Sequence, residues 1–225
     1  MSITLAQLKS QARDRADMTN SQFVSDSELV NYINGSIAEL HDLLIAAYDN
    51  DYFITEYTFN TAANTASYAL PADFYKLRGV DTRIGSDQWF TIQPFNFNER
   101  NSQNELVTYL AYGNNFRYRL VGSNITFTPV PTSVYSIKMW YIPVATKLSS
   151  DSDVLSDLNQ FSEYVIVDAA LKMAAKEEAD VSVLAAQKAD LRRRIEVMGQ
   201  NRNADKSDSI SDIYAENLDY LWYSR

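Results

Sequence analysis

Hydrophobic and polar positions alternate with a helical period over residues 24–48, which is the clearest pattern in the chain. Ser25 and Glu28 have the spacing of a capping box, and Val24 and Leu29 flank them where a hydrophobic staple would close over the helix start. From there the apolar residues recur at steps of three and four, namely Leu29, Ile33, Ile37, Leu40, Leu44 and Ala47. The pattern predicts a long helix that begins at Ser25 and needs another helix to cover its apolar face.

A shorter helix is predicted ahead of the long one. Thr4 and Gln7 again have capping-box spacing, with Ile3 and Leu8 in the staple positions. The apolar positions that follow extend the helix to about Ala16 and form a narrow stripe. We therefore expect the first helix to pack against the long helix as part of a bundle.

The period of the pattern changes from helical to alternating after residue 50, and β-forming residues dominate up to residue 149. The predicted strands cover residues 53–59, 67–70, 77–83, 88–92, 106–112, 116–121, 124–128 and 134–141. Tight turns are expected at residues 85–87 and 122–123, and single helical turns at residues 70–75 and 96–100. Strands at this spacing suggest a small antiparallel sandwich or barrel.

Helical spacing returns after an acidic linker at residues 149–157. Asn159 is the expected N-cap of a helix with a wide apolar surface, and a break at residues 180–182 separates it from a last helix that should end at Gly199. The short break predicts an antiparallel pair.

These elements together predict an α+β fold. Residues 1–50 and 150–199 form a discontinuous helical bundle of about four helices, and residues 51–149 form an antiparallel β module inserted between the two blocks. Residues 200–225 form an extended C-terminal arm.

The C-terminal arm combines a polar tether with an aromatic end. Residues 200–212 cannot bury enough apolar surface to order themselves, and Ser211 could cap a short final helix. The candidate anchor residues in that helix are Ile213, Tyr214, Leu218, Tyr220, Leu221, Trp222 and Tyr223. The favoured interpretation is a docking peptide for another subunit, because Trp and Tyr are efficient anchors; the alternative is a tail that folds back on its own bundle.

Composition narrows the possible partners. A formal net charge of −9 argues against a protein that binds the phosphate backbone of nucleic acids. The absence of cysteine excludes disulfides and thiolate metal sites. No apolar run is long enough for a membrane span, so no membrane anchor is expected. Fifteen Tyr and three Trp residues are a composition that favours protein interfaces as well as sheets.

Motifs of catalysis are lacking in the sequence. The chain has no nucleophile-elbow, Walker A or dinucleotide-binding motif, and its only histidine, His41, is expected to be structural or solvent-facing. We expect no cofactor, no metal and no enzymatic activity. Two carboxylate pairs, Glu177 with Glu178 and Asp151 with Asp153, leave a peptidoglycan glycosidase as an alternative.

Arg192, Arg193 and Arg194 form the one basic cluster of the sequence. Successive helical residues point about 100° apart, so the three side chains cannot form one patch. Because the chain is acidic overall, salt bridges to carboxylates of a neighbouring subunit are favoured over contacts with DNA.

Several segments occur in an order that resembles one family. They are ITLAQL at residues 3–8, RDRAD at 13–17, SDSELVNYIN at 25–34, SIAEL at 36–40, LPADFYKL at 70–77, ITFTP at 125–129, YVIVDAA at 164–170 and KEE at 176–178. The chain resembles the head-to-tail adaptor proteins of tailed bacteriophages, which are also called head completion or connector proteins.

The resemblance implies a structural virion protein, made in the host cytoplasm, with a helical bundle that carries a β insert. It implies a homo-oligomeric ring, commonly a dodecamer, at the head–tail junction. The C-terminal arms of such a ring reach the portal protein, a tail or nozzle protein binds below, and DNA passes through the lumen during ejection without specific binding. A tail nozzle or tail completion ring protein is the alternative within the virion.

Overall fold

The computed structural model describes residues 3–19, 23–48, 50–84, 88–99, 116–156 and 158–200. The helices are α1 (Leu5–Arg15), α2 (Asp26–Ala47), α3 (Ser162–Lys176) and α4 (Ser182–Gln200). The strands are β1 (Ile3–Thr4), β2 (Thr55–Asn60), β3 (Ser67–Ala69), β4 (Phe74–Ile84), β5 (Gln88–Thr91), β6 (Gln93–Pro94), β7 (Arg117–Val121), β8 (Asn124–Thr128), β9 (Ser136–Pro143) and β10 (Val154–Leu155).

Both predicted helix starts are confirmed by their caps. At α1 the Thr4 hydroxyl accepts the backbone N–H of Gln7 at 3.3 Å, and the Gln7 side-chain oxygen accepts the backbone N–H of Thr4 at 3.0 Å. At α2 the Ser25 hydroxyl accepts the backbone N–H of Glu28 at 3.3 Å, but the second half of the predicted capping box does not form, because the Glu28 carboxylate accepts from Tyr32 and Lys176 instead. These bonds satisfy amide groups that have no partner inside the first helical turn, and they fix where each helix begins.

The two helical blocks share one hydrophobic core, although more than a hundred residues separate them in sequence. Helix α2 packs against α3 and α4, and α1 packs against α3. Strand β1 pairs with β10, which ties the N-terminus to the returning chain. The side chains buried in this core include Leu5, Leu8, Leu29, Ile33, Leu40, Leu44, Tyr164 and Val165. We call this unit the helical body; it confirms the discontinuous bundle, while the limits given above for the two domains stay a prediction.

In its described residues the insert is a sandwich of two four-stranded sheets, which we call the β module. One sheet has the strand order β2-β9-β4-β5, and the other has the order β3-β8-β7-β6. Gly122, with a φ of 57°, makes the tight turn that joins β7 to β8, as predicted. The core between the sheets contains Val80, Ile92, Ile125, Phe127, Ile137, Met139 and Tyr141. The α+β class is therefore confirmed.

Three local predictions are wrong. Residues 70–75 form no helical turn: a turn closes with the N–H of Phe74 on the carbonyl of Pro71, and β4 starts at Phe74. Asn159 is not an N-cap, because it begins a short 3-10 turn and α3 begins at Ser162. Helix α4 does not end at Gly199 but continues to Gln200. The predicted antiparallel pairing holds throughout the described sheets except for the two-residue pair of β6 with β7, which runs parallel.

Two other local predictions are confirmed, and two concern residues outside the described ranges. A 3-10 turn at Phe97–Glu99 matches the helical turn expected at residues 96–100, and β5 pairs back on β4. The turn at residues 85–87 and the strand at residues 106–112 lie outside the described residues.

Gly199 is required by a close approach of two helices. A Cβ atom at this position would lie 2.8 Å from the carbonyl carbon of Ala47 and 3.0 Å from its Cβ atom. Those atoms are backbone or short side chain, so they cannot rotate away. The absence of a side chain at Gly199 therefore allows the end of α4 to lie against the end of α2.

Gly199→Ala should destabilise the protein, although alanine is the better helix former by about 0.5–1 kcal/mol. Forcing a methyl group against the Ala47 backbone should cost about 1–3 kcal/mol in the free energy of unfolding. Gly35→Ala is the matched control, because its Cβ would meet only the end of Lys172 at 3.6 Å. Denaturant melts should show a loss for Gly199→Ala and no loss for Gly35→Ala; equal stability of both variants would contradict the close approach.

Candidate interaction surfaces

A buried carboxylate fixes the packing of three helices in the helical body. Asp168 of α3 is fully buried, and its oxygens lie 2.6 Å from Lys172 Nζ and 2.8 Å from Lys188 Nζ. Lys188 of α4 also lies 2.6 Å from Glu39 Oε1 of α2. Tyr164 of α3 donates to the same Glu39 oxygen at 2.9 Å. We call these five residues the ion seam, because they join α2, α3 and α4.

The electrostatics of the ion seam favour its charged form. Burial by itself would raise the pKa of Asp168, but hydrogen bonds from Lys172 and Lys188 outweigh it and hold that pKa below its usual value. Burial would lower the pKa of Lys188, yet its bonds to Asp168 and Glu39 raise it instead. Burial and the bond to Glu39 both raise the pKa of Tyr164. Two carboxylates and two ammonium groups therefore neutralise one another inside the helical body.

His41 lies at the junction between the helical body and the β module, where it is almost fully buried. Its ring stacks on Phe53, with centroids 4.5 Å apart, and meets Tyr75 edge-on at 5.7 Å. The backbone of Pro143, at the end of β9, also bonds to His41. The histidine thus contacts the chain where it leaves the helical body and where it returns, which confirms the structural role expected for it.

Polar contacts reinforce the same junction. Tyr75 donates to Asp42 at 2.8 Å, and the Arg78 guanidinium lies 2.8 Å from Asp51. Each pair joins β4 to the end of α2 or to the segment that follows it. The junction is therefore held by stacked rings at its centre and by hydrogen bonds at its edge.

An open cleft of about 860 Å³ lies beside this junction. We call it the junction cleft. Its aromatic floor includes Tyr52, Phe53 and Tyr141, and its rim includes Ile54 and Met198, which are 37% and 44% exposed. The floor also has polar groups, since Gln160 donates to the Tyr52 hydroxyl at 2.7 Å and the Tyr141 hydroxyl donates to Asp73 at 3.0 Å. The cleft therefore suits amphipathic ring side chains.

The outer face of the β2-β9-β4-β5 sheet is aromatic and charged. Lys138 Nζ lies 4.9 Å from the ring centre of Trp89 and 5.3 Å from that of Trp140, and 3.1 Å from Glu56 Oε2. Trp140 donates its indole N–H to Asp81 at 2.7 Å. Aromatic side chains such as Trp89 and Trp140 are enriched at surfaces that contact other proteins.

The three arginines of the cluster have different surroundings, as expected from their spacing along the helix. Arg192 bonds to Glu196 of its own helix at 3.0 Å. Arg193 and Arg194 are exposed, on a helix whose buried side carries Ile195. Arg193 and Arg194 therefore remain the candidates for contact with another subunit, and Arg192 already has an internal partner.

One of the two carboxylate pairs considered for glycosidase chemistry, Asp151 with Asp153, has structural neighbours. Asp151 lies 2.6 Å from Lys9 Nζ, and the Asp153 carboxylate accepts the backbone N–H groups of Ser149 and Ser150 at 2.8 Å. These bonds hold the pKa of Asp153 below its usual value. Both carboxylates thus brace the linker that leads back to the helical body.

Within the residue ranges that the structure describes, no group of three histidine or carboxylate side chains is placed to hold a metal ion. None of the helices in the same ranges is long and apolar enough to cross a membrane. The anchor residues of the arm, from Ile213 to Tyr223, lie outside the described residues.

The described surfaces are suited to protein contacts, and the fold is that of a structural module: a helical body with an inserted β sandwich. Comparison with protein families gives the identity. The chain belongs to the SU10 adaptor protein family, which matches residues 3–211. A search of curated proteins finds no match.

Family membership confirms the predicted resemblance to phage adaptors. The chain is thus a phage adaptor protein of the virion, a class that has a structural role and associates with portal and tail components.

The ion seam and the junction contacts were missed from the sequence. One signal was available: Asp168 interrupts the apolar run at residues 164–171, and Lys172 follows it at the spacing of a helical ion pair. Nothing local pointed to Lys188 or Glu39, because those residues lie on other helices.

Asp168→Asn should destabilise the protein strongly. The substitution keeps the shape of the side chain but leaves Lys172 and Lys188 without their shared charge. We expect a loss of about 3 kcal/mol in the free energy of unfolding, at the low end for a buried pair because both ammonium groups keep some access to water. Arg192→Gln, which breaks the exposed pair with Glu196, is the control and should change stability little. Equal denaturant midpoints for the two variants would show that the ion seam is dispensable.

His41 should make stability depend on pH. Burial lowers the pKa of His41 below its usual value of 6.5, against the opposing effect of Asp42. The folded state therefore binds a proton less readily than the unfolded state, so stability should be full above about pH 6.5 and fall as the pH drops below it. Because the chain has one histidine, His41→Phe should flatten this part of the curve. Thermal melts at several pH values are the measurement, and parallel curves for parent and variant would refute the assignment.

Proposed function

We propose that this chain is a ring-forming head-to-tail adaptor that docks beneath the portal protein and forms part of the DNA conduit between capsid and tail. The ring is a dodecamer at the head–tail junction, and a tail or nozzle protein binds on its other side. The observation that carries the proposal is family membership across nearly the whole chain.

Contacts between neighbouring subunits of the ring are heterologous, so one face of each subunit binds a different face of the next. The exposed side of α4, with Arg193 and Arg194, carries positive charge on a chain whose net charge is −9. Salt bridges from this side to carboxylates of the next subunit would offset the repulsion between acidic subunits. Arg192 lies beside them but is bonded to Glu196.

The charge of the chain also suits a conduit. DNA has to pass through the lumen without being held there. An acidic ring repels phosphate groups, whereas a basic ring would bind them through counterion release. The net charge of −9 therefore supports passage without specific binding.

The arm carries the contact with the portal. Deleting residues 212–225 should abolish docking on purified portal and leave the far-UV circular dichroism spectrum mostly unchanged, because the helical body and the β module remain. Native mass measurement of the protein mixed with portal gives both the binding and the number of copies.

Point variants in the arm test whether its aromatic anchor residues carry the binding to portal. Trp222→Ala with Tyr223→Ala should weaken docking by at least about 30-fold, as expected when a hot-spot anchor worth 2 kcal/mol or more is removed. Asn217→Ala in the same segment is the control and should dock like the parent. Full docking by the deleted form would remove the arm from the mechanism, and a mass that includes tail protein but never portal would favour a tail nozzle or tail completion ring instead.

A further inference from the structure

We propose that the aromatic segment of the arm, residues 213–223, binds in the junction cleft of its own chain while the subunit is free. This inference concerns the isolated subunit and does not depend on portal docking. It assigns an occupant to the junction cleft and a resting position to the arm.

The chemistry of the junction cleft matches the segment. Phe53 and Tyr52 provide aromatic surface, while Asp73 and Gln160 provide hydrogen-bonding groups at the floor. Tyrosine and tryptophan rings have an apolar body and one polar tip, so they can use both kinds of surface at once. The segment contains three tyrosines and one tryptophan, namely Tyr214, Tyr220, Tyr223 and Trp222.

The rim of the junction cleft leaves apolar side chains uncovered. Ile54, just before β2, and Met198, on α4, are each more than a third exposed and line the same cleft. A cleft of about 860 Å³ falls within the roughly 300–1,000 Å³ of pockets that bury a ligand of moderate size. Filling it with ring side chains would remove this apolar surface from water.

The arm begins at the junction cleft. Met198 lines the rim, Gly199 lies against Ala47, and the described part of α4 reaches Gln200, one residue further on. Twelve residues separate Gln200 from Ile213. A flexible tether of that length has a root-mean-square span of roughly 20 Å. The aromatic segment can therefore reach the cleft without full extension of the tether.

The short tether favours the cleft of the same chain over that of a second copy. A segment on a short flexible linker is present at an effective concentration of about millimolar, far above the concentration of other free subunits. The acidic charge of the chain also disfavours the approach of a second copy.

Occupation in cis connects with the proposed function through competition. The residues that anchor the arm on a portal would be the same residues that fill the cleft, so docking would expose the cleft as the arm leaves. A free subunit would thereby keep its aromatic anchors covered, which protects it from premature association.

The absence of cysteine allows a direct test on the full chain. Ser224→Cys introduces a unique thiol next to the aromatic segment, and a fluorophore attached there reports local motion by time-resolved anisotropy. In the free protein the label should rotate mainly with the whole molecule, and this should persist on strong dilution. No portal is present, so the result is independent of the docking experiment.

Charged substitutions at the rim provide the comparison. Met198→Glu and Ile54→Glu, at two separate exposed positions, should each lower the ratio of docked to free arm by roughly tenfold and release the label into fast motion. Val197→Glu is the matched control, because Val197 is 49% exposed on the same helix but does not line the cleft; it should leave the label slow. Far-UV spectra and melting curves establish that each variant is folded.

Three outcomes would overturn the proposal. The first is a label that moves freely in the parent protein. The second is a label that stays slow in both rim variants. The third is a label that is slow only at high concentration, which would identify a second copy as the occupant.

Discussion

The packing of the helices depends on one constraint, which is that the buried carboxylate of Asp168 must be paired with positive charge. Asp168 stands in the middle of the most buried helix, where an isolated charge would be very costly. Lys172 comes from the next turn of α3, but Lys188 comes from α4 and brings Glu39 of α2 with it. Satisfying one charge therefore sets the register of three helices. Apolar packing supplies most of the stability, and the ion seam selects one arrangement of the helices.

That register determines where the rest of the molecule lies. With Lys188 held beside Glu39, α4 runs alongside α2 until Gly199 meets Ala47. The chain enters the β module after the end of α2, and the arm follows α4. The starting points of these two segments therefore lie close together. The junction cleft and the start of the arm thus share one location, as a consequence of packing in the helical body.

Structural features that depend on residues close together in sequence could be predicted from the sequence. Features that depend on contacts between distant residues could not. The caps at Thr4 and Ser25, the change of period at the insert and the Gly122 turn are local, and each was found. Asn159 was misassigned because a 3-10 turn adds three residues before α3. Glycine is common at helix ends, and the sequence analysis placed Gly199 there for that reason. The structure requires a glycine at this position because of its close approach to Ala47, about 150 positions earlier. Likewise, nothing around His41 in sequence shows that Phe53 and Pro143 will enclose it. Family resemblance supplied the class of protein, which no single residue indicated.

Native-state hydrogen exchange is the most direct measurement of whether the two helical blocks form one body. The account predicts that amides at the centres of α2 and α3, such as those of Leu40 and Val167, open with the same free energy and the same dependence on denaturant, because neither block keeps its core or its ion partners alone. If the amides of α2 stayed protected under conditions where those of α3 had already exchanged, the blocks would be separate units and the account would be contradicted.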